Sequence, residues 1–177
     1  MATLPPYPRG RREIAFHEAA HAVFGAMLGL THVRVDVFAS QPLSGFYQFD
    51  SKALKSQSVP KEEIPPEELD LAGLMWAASY VSGVMAETIL HGIEVDGWLK
   101  RDCQDFRTAR TLLTAGSGHD LGLYYAQCLA GHVLSANWDL VAQIAAEIQV
   151  RGWLGGEELT RTCAGREQCW ASVVDRY

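Results

Sequence analysis

The sequence predicts a mainly α-helical fold that carries a small β-sheet (α+β). Apolar residues recur at spacings of three and four along most of the chain, as in helices that bury one face. One stretch, residues 33–37, alternates apolar and polar residues as a half-buried strand does. Hydrophobic residues make up 48% and charged residues 20% of the 177 residues, which is typical of one globular domain. We therefore expect an irregular, proline-rich arm over residues 1–11 and a single domain over residues 12–177.

The first helix is expected directly after the arm. Its stripe combines apolar residues with two histidines at helical spacing: Ile14, His17, His21, Phe24 and Leu28. Gly29 lies near its expected end, and His32 is expected in the loop that follows. The strand over residues 33–37, a turn over residues 42–45 and a second strand over residues 46–49 would then form a hairpin.

The rest of the chain is predicted to be helical apart from a polar surface loop over residues 52–70. Pro65 and Pro66, followed by two glutamates, open a helix that ends near Gly92, because proline and acidic residues suit a first turn. Further helices are expected in four places: residues 106–116, from His119 or Asp120 to Asn137, residues 141–151, and a short helix from Glu157. The glycines at positions 152, 155 and 156 are expected only to end the helix over residues 141–151.

The most informative segment is His17-Glu18-Ala19-Ala20-His21. Residues four apart lie on one face of a helix, so both imidazoles can reach one metal ion, while Glu18 points toward the same cleft. This HExxH pattern is typical of zinc peptidases, in which the glutamate acts as the base. The pattern can arise by chance, but two imidazoles on a core-facing stripe would be costly to bury without partners. We therefore predict a Zn²⁺ site.

Such a site needs a third protein ligand, and three carboxylates are candidates. Glu87 lies among apolar residues of a helix, where its charge needs either the metal or the N–H of a ligand histidine as a partner. Asp102 and Asp105 stand at the start of the next helix, where they could equally serve as an N-cap and a first-turn acid. Position alone leaves the choice open.

Four segments resemble the peptidase domain of FtsH, a family of membrane-anchored AAA+ proteases with a zinc centre. Residues 14–23 resemble its zinc helix, with Ala20 where the family usually has glycine. Residues 83–87 resemble its Gly-x-x-Ala-Glu helix, residues 104–109 its Asn-Asp-hydrophobic-x-x-Ala segment, and residues 137–159 its closing helix and Gly-x-Glu-Leu turn. The resemblance covers residues 12–160 in the family's order and implies an FtsH peptidase-like metallopeptidase fold.

The resemblance also implies roles for individual residues. His17, His21 and Asp105 would hold Zn²⁺, with Asp105 favoured over Asp102, and Glu18 would be catalytic. Glu87 is then expected to hold a ligand histidine. Gly45, Phe46 and Tyr47 would belong to an edge strand that binds substrate beside the cleft, where a peptide can add as an extra strand. A plain hairpin rim is the alternative for this strand.

The expected function is ATP-independent zinc endopeptidase activity on peptides or unfolded protein segments, because the chain shows no phosphate-binding loop of the ATPase kind. A homo-oligomer or a separate ATPase partner is compatible with this activity. The alternatives are a non-catalytic zinc-containing module that binds peptides or regulates a partner, and a hydrolase of small amides.

The net charge of −6 argues against nucleic-acid binding. No apolar run of membrane-spanning length, no export signal and four cysteines without a CxxC pair suggest a cytoplasmic protein without a membrane partner.

Overall fold

A computed structural model describes residues 10–38, 44–50, 66–92, 103–113 and 119–165 of the chain. It contains six helices and three strands in these ranges: α1 (Arg11–Met27), β1 (His32–Phe38), β2 (Ser44–Phe49), α2 (Pro66–Leu90), α3 (Gln104–Leu113), α4 (His119–Ala136), α5 (Trp138–Arg151), β3 (Trp153–Gly155) and α6 (Gly156–Cys163). The prediction of a mainly helical α+β fold is confirmed. Asp102 and most of the expected arm lie outside the described residues.

The strands form one antiparallel sheet in the order β2-β1-β3. Val35 in β1 pairs with Tyr47 in β2 on one side and with Leu154 in β3 on the other. The predicted hairpin is confirmed, and β2 lies at an edge of this sheet. The turn predicted over residues 42–45 was wrong for its second half, because Ser44 and Gly45 already pair with Phe38 and Val37 as part of β2. Residues 42–43 lie outside the described residues. The third strand was also missed, since residues 152–156 were expected only to end a helix.

Helix α1 lies at the centre of the domain and is buried along most of its length. Gly10 caps its start, and the Gly10 N–H donates to the Glu13 carboxylate at 2.9 Å. The buried surface is wider than the predicted single stripe, because several small residues outside that stripe are also fully covered: Ala15, Ala19, Ala20 and Ala22. These short side chains let neighbouring helices and the sheet approach closely on several sides, so His17 is buried while His21 is half-buried.

The other helices surround α1 and begin close to their predicted starts. Helix α2 begins at Pro66, so residues 66–70 of the predicted loop are helical instead, and residues 52–65 lie outside the described residues. Gly29 and Gly152 have φ angles of +69° and +85°, a conformation that favours glycine after a helix end. One hydrophobic cluster joins buried side chains from all six helices with those of β1 and β3. Among the residues that the structure describes, no helix combines the length and hydropathy needed to cross a bilayer.

Candidate metal centre

His17 and His21 lie one turn apart on α1, on the side that faces α2 and α3. Their ring centroids are 4.8 Å apart, and the rings meet edge to face at 75°. His17 is buried, with 6% of its surface exposed. Neutral imidazoles in this arrangement can bind one divalent ion through one nitrogen each.

Asp105, in the first turn of α3, brings a carboxylate to the same point. Its Oδ2 lies 3.2 Å from Nε2 of His17, and one ligand atom from each of His17, His21 and Asp105 lies within 4.8 Å of the others. A tetrahedral zinc ion holds its ligand atoms roughly 3.3 Å apart. The three side chains therefore fit Zn²⁺ after small movements, and two nitrogens with one oxygen are a ligand set that Zn²⁺ accepts.

Glu87 holds His17 from the side opposite to Asp105. The Nδ1–H of His17 donates to Oε1 of Glu87 at 2.6 Å, and Glu87 is completely buried. Its carboxylate is therefore directed at the histidine, as sequence reasoning expected, and the other ring nitrogen faces Asp105. A carboxylate in this position fixes the tautomer of a metal-binding histidine and its orientation.

His21 is held by α2 through groups that sequence reasoning missed. Its Nδ1 lies 2.9 Å from the carbonyl oxygen of Ser79, and a carbonyl can only accept, so Nδ1 carries the hydrogen and Nε2 offers its lone pair. The Ser82 hydroxyl donates to the same carbonyl at 2.7 Å and lies 3.2 Å from Nδ1. A backbone carbonyl leaves no sequence signal, but a serine in an apolar helical stretch could have suggested this contact.

The two histidines differ in their pKa. Burial lowers the pKa of His17, but hydrogen bonds with Asp105 and Glu87 and the negative charges of Glu18 and Glu87 outweigh burial and raise it to about 9. Burial and the positive charge of His17 lower the pKa of His21 to about 4. The carboxylates that favour a proton on His17 also favour a divalent cation at the same place.

Glu18 lines the same cavity of about 270 Å³ as the three candidate ligands. It is 7% exposed. Part of the cavity wall is formed by Glu18 and the three candidate ligands. The remaining wall comes from β2 and α2: Gly45, Phe46, Tyr47, Phe49, Trp76, Ser79 and Tyr80. The structure thus brings Glu18 and all three predicted residues of β2 to the same cleft as the candidate metal centre.

Strand β2 is packed tightly against α1. A β-carbon at Gly45 would lie 2.5 Å from Cγ of Glu18 and 2.7 Å from Cγ2 of Ile14, so only glycine lets the strand approach the helix at this point. Farther along the strand, the ring of Tyr47 lies 6.1 Å from that of Phe49, which lies 5.6 Å from that of Trp76. The aromatic residues Phe49 and Trp76 were not assigned to the site from the sequence, because they come from distant elements.

The hydroxyl of Tyr47 contacts His32, the first residue of the neighbouring strand β1. Nδ1 of His32 and Oη of Tyr47 are 2.9 Å apart, and the hydroxyl rests against Gly25 of α1. The expectation that His32 lies in a loop was wrong: it is the first residue of β1 and is 6% exposed. Burial lowers the pKa of His32 to about 4 and raises the pKa of Tyr47.

No protein-family model matches this sequence, and neither does any curated protein in a sequence comparison. The resemblance to the FtsH peptidase domain therefore depends on the ordered motifs described above.

Proposed function

We propose that this protein is a zinc-dependent metallopeptidase that cleaves peptides or unfolded segments without ATP, and that its fold is of the FtsH peptidase type. The observation that carries the proposal is the meeting of His17, His21 and Asp105 at one point with Glu18 beside them in a cleft. Two hydrogen-bonded imidazoles, one carboxylate ligand and an adjacent base are the parts that a catalytic zinc site needs.

In the proposed mechanism His17, His21 and Asp105 would hold Zn²⁺, and the bound ion would supply Lewis acidity toward the peptide carbonyl and toward water at neutral pH. Glu18 accepts the proton of the attacking water and then delivers it to the amine that leaves. Gly45 keeps Cγ of Glu18 within van der Waals distance of β2, which restricts the orientation of the carboxylate. Glu87 and the Ser79 carbonyl hold the two imidazoles in orientation.

The cleft supports an extended peptide as the substrate. Strand β2 borders the cavity and lies at the edge of the sheet, so a substrate strand can add beside Gly45, Phe46 and Tyr47 through main-chain hydrogen bonds. A cavity of about 270 Å³ admits a few side chains but no folded domain. We accordingly propose that folded proteins become substrates only when a separate ATPase partner unfolds them. A homo-oligomer is compatible with this activity, and the proposed setting is the reducing cytoplasm.

The proposal is tested by comparing the wild-type chain with Glu18→Gln. The amide keeps the shape of the side chain but cannot take a proton. We therefore expect the variant to retain zinc and to cleave casein or quenched peptides at least ~100-fold more slowly than the wild type. Zinc content is measured on both proteins by atomic emission. Glu13→Gln is the control, because Glu13 lies on the same helix but contacts Gly10.

Three results would overturn the proposal. Undiminished cleavage by Glu18→Gln would show that this carboxylate is not the base. A wild-type protein that carries zinc but cleaves neither peptides nor casein would favour the peptide-binding or regulatory module, and cleavage of short amides alone would favour a small-amide hydrolase.

A further inference from the structure

Gly83 of α2 lies directly against the imidazole of His17. A β-carbon at this position would be 2.5 Å from Nε2 and Cδ2 of that ring and 2.6 Å from Cε1. Real β-carbons are never found so close to another side chain. The ring therefore occupies the space that any side chain at position 83 would fill. The ring atoms closest to Gly83 include Nε2, the nitrogen that faces Asp105.

The neighbouring residue, Ser82, acts on the second histidine. Its hydroxyl is completely buried, donates to the Ser79 carbonyl at 2.7 Å and lies 3.2 Å from Nδ1 of His21. Ser79 and Gly83 are four residues apart, and Glu87 follows after another four. They form one stripe of α2. His21 contacts the start of this stripe and His17 its end, so α1 and α2 run in opposite directions where they meet.

A close approach also occurs at Gly25, where a β-carbon would overlap the Tyr47 hydroxyl, and at Gly156, where it would overlap the His32 carbonyl, but the two glycines of α4 do not show it. A β-carbon at Gly131 in α4 would meet only the flexible end of Met85 at 3.4 Å, and one at Gly122 would meet the end of Leu113 at 3.3 Å. These positions can accept alanine with little movement. Among the helical glycines that the structure describes, Gly83 is the one that lies against a candidate metal ligand, which points to a role in the centre rather than in general helix packing.

We infer that Gly83 and Ser82 are positioning residues of the metal centre: Gly83 leaves room for the His17 ring, and Ser82 fixes the carbonyl that orients His21. An alanine at position 83 would force the ring of His17 to rotate or α2 to move away. Either change turns Nε2 away from the point it shares with Asp105 and His21. The inference rests on the proposed zinc site but not on peptide hydrolysis.

The test is zinc affinity, measured on the full chain by competition with a chromophoric chelator. Changes around metal ligands typically cost 10–100-fold in affinity, so we expect about that loss for Gly83→Ala and about tenfold for Ser82→Ala. Gly131→Ala is the matched control and should bind zinc like the wild type. Alanine is a better helix former than glycine, so a weaker helix cannot explain a loss in Gly83→Ala.

A second readout is the visible spectrum of the cobalt-loaded proteins, which reports ligand geometry without any substrate. Gly83→Ala should shift the cobalt bands, and Gly131→Ala should leave them in place. Wild-type zinc affinity in Gly83→Ala would overturn the inference. If circular dichroism shows that Gly83→Ala does not fold, the test depends on Ser82→Ala, which removes one oxygen without adding volume. Wild-type zinc affinity in Ser82→Ala would then overturn the inference. If the wild-type chain binds no zinc, the proposed metal centre itself is disproved. The measurement on the wild-type protein alone shows this.

Discussion

The carboxylate of Glu87 lies 2.6 Å from Nδ1 of His17, although the two residues are 70 positions apart in the chain. Glu87 is completely buried, and a buried carboxylate is stable only when charged or polar groups compensate it. The pair therefore serves both partners: the imidazole N–H compensates the carboxylate, and the carboxylate fixes which nitrogen of His17 faces Asp105.

We predict that Glu87→Gln weakens zinc binding about 10- to 100-fold, because the neutral amide holds the ring less firmly and makes its metal-binding nitrogen less basic. The measurement is competition with a chromophoric chelator at constant pH. Glu13→Gln, in which the altered side chain contacts Gly10, should bind zinc normally. Equal affinities for both variants would mean that Glu87 has no part in the centre.

The third ligand can be identified by a pair of variants. Asp105→Asn should lose zinc almost completely, because a carboxylate oxygen of Asp105 lies within 4.8 Å of a ring nitrogen of each histidine and a neutral amide is a poor ligand for Zn²⁺. Asp102→Asn should retain it, since the resemblance favours Asp105. Metal analysis after gel filtration distinguishes the two. Loss of zinc from Asp102→Asn with retention in Asp105→Asn would reverse the assignment.

Most of the fold could be predicted because its elements have clear local signals. The spacing of Ile14, Phe24 and Leu28 predicted α1, and Pro66 predicted the start of α2. Strand β3 could not be predicted, because three residues are too few to show alternation and the strand exists only through pairing with β1. The same holds for Gly45: its strand conformation depends on pairing with Val37 rather than on its own turn preference.

The site was predictable only in part, for a similar reason. A five-residue motif identified His17, Glu18 and His21, since one helical turn is enough to bring them together. The Ser79 carbonyl and the contact of Gly83 with His17 arise where α1 and α2 cross. No pattern within either helix contains that crossing, so these contacts became visible only in the folded structure.

Gly45→Ala tests the close packing of β2 on α1. The added methyl group would collide with Glu18 and Ile14 and approach the carbonyl oxygen of Asp36 at 2.9 Å. We expect the free energy of unfolding to fall by about 1–3 kcal/mol and the kcat/KM for quenched peptides to fall because Glu18 is displaced. Denaturation in urea and peptide cleavage measure the two effects.

Gly155→Ala is the control for that variant. Gly155 lies in β3 with an extended conformation (φ −81°), and a β-carbon there would meet only the ring of Trp153 at 3.5 Å. Both stability and cleavage should remain close to wild type. A Gly45→Ala protein that behaves like Gly155→Ala would show that β2 can move away from Glu18 without consequence.

The last prediction concerns the stability of the protein against pH and depends on His32. Burial lowers the pKa of this residue from 6.5 to about 4, while in the unfolded chain it titrates near its ordinary value. Between these two values the unfolded state binds more protons than the folded state. The free energy of unfolding therefore decreases as the pH falls from about 6.5 to about 4, and His32 contributes up to about 3 kcal/mol to that loss.

His32→Gln removes this titration while keeping a polar group near Oη of Tyr47. We expect the variant to be less stable than the wild type at pH 7, where neutral His32 contacts Tyr47 at 2.9 Å, and the difference to shrink or reverse at pH 4.5. Urea denaturation across this range, with a chelator present in every sample, measures both curves. The titrations of His17 and His21 are common to both proteins and cancel in the difference. Two curves that run parallel from pH 7 to pH 4.5 would mean that His32 keeps an ordinary pKa and that protons reach it in the folded state.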